Sequence, residues 1–177
     1  MKKKVLITLL LGAAVAVVAT ASVALANGDG GKNRFKAVLN GYNEVVGPGS
    51  ISTTGHGIFR ARIDEDSQTI SYTLTYSELE NAVTQAHVHF AQRHVGGGVI
   101  YFLCGGGDKP DCPSPGGTVS GVIDPFDVIG PAGQGIEAES FGEAVRAMRA
   151  GATYANVHST RWPAGEIRGQ LRSGNDD

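Results

Sequence analysis

Short runs in which apolar and polar residues alternate with period two recur along this chain, each bounded by glycine-, proline- or asparagine-bearing turns. Residues 69–76 show it most cleanly: Ile70, Tyr72, Leu74 and Tyr76 fall on one side and Ser71, Thr73 and Thr75 on the other. A period of two is the signature of an extended strand with one face buried. Residues 57–63 repeat it, with Phe59, Ala61 and Ile63 opposite Arg60 and Arg62, and the polar turn 64–68 joins the two runs into a hairpin. Further strands are expected over 35–39, 83–90, 117–123, 153–159 and 166–172. The continuous apolar run 99–103 reads as a central strand. One helix breaks the pattern. Ser140 and Glu143 have the spacing of a capping box, Phe141, Ala144, Val145 and Met148 form an apolar stripe, and Gly151 is placed to end the helix. With 26 glycines to supply turns, the chain is expected to be all-β. The architecture is an antiparallel β-sandwich or Greek-key barrel with one short helix near 140–150.

The same parity argument locates the chemistry. In Ala86-His87-Val88-His89-Phe90, the two imidazoles project to one side and Val88 and Phe90 to the other. Asn156 and His158 oppose Ala155 and Val157. Glu166, Arg168 and Gln170 oppose Ile167 and Leu171. Three strands therefore each carry one core face and one face of His, Glu, Arg or amide groups. His87, His89 and His158 are expected to lie together, with Glu166 and Arg168 nearby, if these strands share a sheet.

The N-terminal stretch reads as a targeting signal: Lys2, Lys3 and Lys4, an apolar run over 5–18, and the small-x-small site Ala24-Leu25-Ala26. Cleavage there makes 1–26 a signal peptide. It leaves a flexible segment 27–34, a single β domain over 35–172 and a polar tail 173–177. An uncleaved signal is the one route to a membrane that the sequence offers. Taking three leader lysines from the 15 basic residues leaves 12 against 17 acidic ones, and the basic residues form no run in the mature chain. That balance argues against nucleic acid as a partner, since phosphate binding needs a positive surface. In an exported chain Cys104 and Cys112, with seven residues between them in a Gly- and Pro-bearing loop, are expected to form a structural disulfide. The spacing is neither C-x-x-C nor a usual zinc-knuckle spacing.

Leu39-Asn40-Gly41-Tyr42-Asn43-Glu44, Ala86-His87-Val88-His89-Phe90, and Asn156-Val157-His158 followed by Gly165-Glu166-Ile167-Arg168-Gly169-Gln170-Leu171 resemble, in order and spacing, the CHRD (chordin-type) domain. The resemblance runs from about residue 35 to 171. It departs at Val45-Val46, where the family often has prolines, which touches a loop conformation and not the fold. It implies an all-β extracellular domain and no established activity for single-domain microbial members.

Two readings of the polar face stand side by side. His-x-His on a strand, with His158 and an oxygen from Glu166, is a sound ligand set for zinc or copper. The same groups, with Tyr154 on the His158 strand, can instead satisfy one another as a hydrogen-bonded layer without metal. Copper-zinc superoxide dismutases share the His-x-His, but five histidines are too few for their paired site. No Gly-x-Ser-x-Gly elbow or phosphate-cradling glycine motif is present. Asp64, Glu65 and Asp66 read as a solvated turn. The chain is expected to be an exported, non-enzymatic domain that binds an extracellular or envelope ligand or serves in envelope structure; the alternative is a metal-binding protein using His87, His89, His158 and Glu166.

Overall fold

A computed structural model describes residues 32–174. The expected signal peptide, residues 27–31 and the last three residues of the tail lie outside the described residues.

The strands are β1 (Arg34–Asn40), β2 (His56–Asp64), β3 (Thr69–Ser77), β4 (Val83–Phe90), β5 (Gly98–Cys104), β6 (Gly117–Ile123), β7 (Thr153–Ser159), β8 (Ile167–Gln170) and β9 (Arg172–Ser173). The helix α1 spans Phe141–Arg149. Every pairing is antiparallel, in the order β5-β4-β7-β8-β1-β2-β3-β6, with β9 on β1. The two ends of that order, β5 and β6, come against each other, so the sheet is a nearly closed, barrel-like layer. Of the two architectures expected, the barrel is the one formed.

The interior is filled by the apolar members of each alternation: Leu39, Phe59, Ile70, Leu74, Val88, Val157 and Leu171 are all fully enclosed. Tyr72 crosses from β3 to donate its hydroxyl to the Leu103 carbonyl at 2.7 Å, tying β3 to β5 through the core. The stripe of α1 joins this core, and Tyr101 donates to the Met148 sulfur at 3.6 Å. Arg149 fastens the helix to the β2–β3 turn through both oxygens of Glu65. Cys104 and Cys112 are bonded, joining the end of β5 to the loop that leads to β6.

Three expectations need correction. The apolar run at 99–103 belongs to β5, which ends the strand order instead of lying at its centre. It is apolar because it is covered: Ile100, Tyr101 and Leu103 are fully buried, and Ile129 N–H donates to the Ile100 carbonyl. The Ser140–Glu143 capping box does not form. Ser140 makes no side-chain cap, and the Glu143 carboxylate instead accepts from the Glu137 amide at 3.0 Å. Finally, the strand expected over 166–172 is split into β8 and β9 at Leu171, whose amide bonds back to the Thr153 carbonyl. At the margins, Arg34 already belongs to β1 and Ser173 to β9.

Candidate metal centre

The pairing of β4 with β7 builds the site. His87 lies opposite Asn156, Gln85 opposite His158, and His89 opposite Tyr154. β8 continues the surface, with Arg168 opposite Asn156 and Gln170 opposite Tyr154. Because side chains alternate, these residues stand on the outer side of the barrel while Ala86, Val88, Ala155 and Val157 fill its core. The outer side is nevertheless enclosed here. His87, His89, Asn156, His158 and Arg168 are all buried, because loops from 41–54, 91–97 and 160–165 fold over them.

Ligand nitrogens of His87, His89 and His158 all lie within 4.8 Å of one another. Each ring is held from outside the cluster. His89 Nδ1 donates to the Gly97 carbonyl and His158 Nδ1 to the Pro163 carbonyl, both at 2.9 Å. A carbonyl can only accept, so in the neutral rings these protons sit on Nδ1 and both Nε2 atoms carry bare lone pairs. His87 faces the Gln85 side-chain oxygen through Nε2 at 2.8 Å, which turns its Nδ1 inward, 3.1 Å from His89 Nε2. His158 Nε2 is buried and has no partner among the described residues. Three nitrogens thus converge, and the third is a stranded acceptor.

Electrostatics keeps the cluster neutral. Burial, then the neighbouring charges of His158 and His89, pushes His87 down to about 3. Burial likewise takes His89 down to about 4, against the opposing pull of the Gly97 carbonyl, and also lowers His158. Around the rings, Phe102 packs edge-on against His87, and Tyr154 stacks parallel on His89 with centroids 4.7 Å apart. The Arg168 guanidinium carbon stands 3.3 Å from the Tyr154 ring centroid. Arg168 also donates to the Gln92 and Val95 carbonyls, pinning the loop that carries Gly97. Beside it, Glu44 accepts from Asn156 at 2.6 Å; burial outweighs that bond and the Arg168 charge and raises its carboxyl to about 7.

Glu166 is not part of this cluster. Its carboxylate accepts from Thr53 at 2.7 Å and from the Glu80 amide at 2.8 Å. The physical reason is local. Regular alternation begins with β8 at Ile167, and Glu166 follows Gly165, whose φ of 127° suits glycine and turns the chain just before it. The groups that orient the rings, Gln85 and the Gly97 and Pro163 carbonyls, are absent from the sequence expectations. Gln85 shares the parity of His87 and His89 and was open to the same argument; the two carbonyls leave no trace in side-chain pattern. Gly97 has its own steric reason, since a Cβ there would run into the Phe90 carbonyl.

Compared with known protein families, the chain matches the family model of the CHRD domain over residues 35–171. No curated protein and no solved structure matches the chain.

Proposed function

We propose that this chain, which belongs to the CHRD domain family, is an exported β domain that binds one transition-metal ion, zinc or copper, through His87, His89 and His158. One observation carries the reading: His158 Nε2 is a buried, bare lone pair with no partner, aimed among two more inward-facing imidazole nitrogens. A stranded acceptor of this kind costs about 1–3 kcal/mol unless something binds it. Supporting it, each ring is oriented by an outer hydrogen bond to an oxygen, the arrangement that fixes tautomers at metal sites. The lowered proton affinities leave the rings neutral and ready to ligate at pH 7. Three imidazoles without a carboxylate suit zinc or copper over harder cations. The disulfide supports export, because such bonds persist in oxidising compartments. We assign the domain a binding role and no catalytic step.

The test is metal analysis after equilibrium dialysis of the oxidised, purified protein against zinc and against copper. About one equivalent is expected in the wild type and none in His87→Ala or His158→Ala. Wild type without bound metal, or variants that bind as well as it does, would refute the reading. A second reading, a metal-free polar layer, is favoured by the 3.1 Å approach of His87 Nδ1 to His89 Nε2, which one proton on His87 would satisfy. It predicts no metal and a large stability loss in the same variants.

A further inference from the structure

Basic residues are dispersed along the sequence, but the sheet gathers them. On the outer side of β9, β1 and β2, Arg172 stands opposite Lys36, and Lys36 opposite Arg60, in direct cross-strand register. One row along, Arg34 stands opposite Arg62. Like charges facing each other across a ladder destabilise it. Among the described residues, Arg60 and Arg62 continue onto Thr73 and Ser71 of β3, which bring hydroxyls, and Asp64 at the end of β2 adjoins Arg62. Arg60, Arg62, Arg93 and Arg172 enter no ion pair among the described residues. The chain as a whole carries a net charge of −2, so this face runs against its average.

Two concavities lie along the face. The first, about 460 Å³, is lined by Lys36, Arg93, His94, Arg168 and Arg172 together with side-chain amides, and among the described residues no acidic one lines it. The second, about 320 Å³, is lined by Arg34, Arg60 and Arg62 with the β3 hydroxyls. Lys36 lines one and its ladder partner Arg60 the other, so the two lie side by side across the β1–β2 pair.

We infer that this track binds a linear acidic polysaccharide, laid across β9, β1 and β2 with its carboxylate or sulfate groups on the cationic rows. Strands about 4.8 Å apart repeat the positive charge at a short, regular interval, which suits a polymer with regularly repeated anions. Hydroxyl and amide groups beside the cations offer partners for sugar hydroxyls. Among the described residues the two concavities hold one exposed ring, His94, while Tyr72 is buried with its hydroxyl on Leu103, so successive bases of a single-stranded nucleic acid find no row of stacking platforms.

The experiment is affinity electrophoresis of the folded protein through gels containing polygalacturonate or dextran sulfate, with neutral dextran as control. Both acidic polymers should retard the protein and dextran should not, and retardation should vanish near ~0.5 M salt. Arg60→Gln with Arg172→Gln should weaken binding about tenfold while leaving the melting temperature unchanged or raised, since the repulsion is relieved. Arg146→Gln with Arg161→Gln, which removes two charges elsewhere, should bind like wild type. The inference is overturned if the Arg60/Arg172 variant is retarded like wild type, or if the Arg146/Arg161 variant loses as much. Binding of single-stranded DNA or of anionic phospholipid vesicles as tight as that of the polysaccharides would also overturn it.

Discussion

His158 becomes a candidate ligand because the carbonyl of Pro163, five residues on, accepts the Nδ1–H on the far side of its ring and leaves Nε2 bare. The side-chain parity that places His87, His89 and His158 is readable from sequence, since a pleated strand leaves only two directions. It fails at Glu166, one residue before regular pairing begins. In the proposed metal site, Gln85 would act through His87 and not on the ion itself. Gln85→Ala should leave folding intact and lower metal affinity by about 10–100-fold, measured by competition with a chelator. Protonation gives a second prediction, for the metal-free protein. Folded His87 and His89 stay neutral down to about 3 and 4, whereas the unfolded chain takes up those protons near 6.5. Their contribution to stability is therefore present above 6.5 and is lost as pH falls below it. Glu44 has the opposite sign. Its folded carboxyl keeps a proton to about 7 and its unfolded one releases it near 4.5, so stability falls as pH rises through that window. Denaturant titrations at several pH values, with chelator present, should show Glu44→Gln removing the decline toward pH 7 and leaving the acid-side loss in place.

At the scale of elements, periodicity identifies β1 to β7 and α1 to within a residue or two, merges β8 with β9, and errs where a pattern has two causes. A continuous apolar run reports that both faces are covered, not that a strand lies mid-sheet. β5 is covered by the core on one side and approached by the 125–129 segment on the other. Ser140 and Glu143 have capping-box spacing, but the preceding turn offers the Glu137 amide to the carboxylate, and that bond forms instead. α1 stays anchored by its apolar stripe. Met148→Ala, at a residue almost wholly enclosed, should cost about 2–5 kcal/mol in chemical denaturation. Replacing Cys104 and Cys112 by serine should cost about 2–3 kcal/mol by the loop-closure argument. It should not abolish metal binding, because none of the three rings bonds to that loop.

Across the whole molecule, the information missing from the sequence is which distant strands pair. β4 and β7 lie more than 60 residues apart in the chain, and their apposition turns two half-sites into one cluster. The cationic face has the same origin: Arg60 and Arg172 are unremarkable in sequence and become neighbours of Lys36 only through the ladder. The meeting of β5 and β6 has a consequence for behaviour at high concentration. An open sheet presents two rows of unused amides that a second copy can extend into a fibril. Here the two end strands come against each other, Tyr72 and the Cys104–Cys112 bridge hold the β5 side in place, and Ile129 occupies the Ile100 carbonyl. Oxidised protein should therefore stay monomeric in light scattering on concentration. Reduction should free the β5 margin and let thioflavin-positive, strand-templated polymers grow, so that the disulfide protects colloidal stability as well as the folded state.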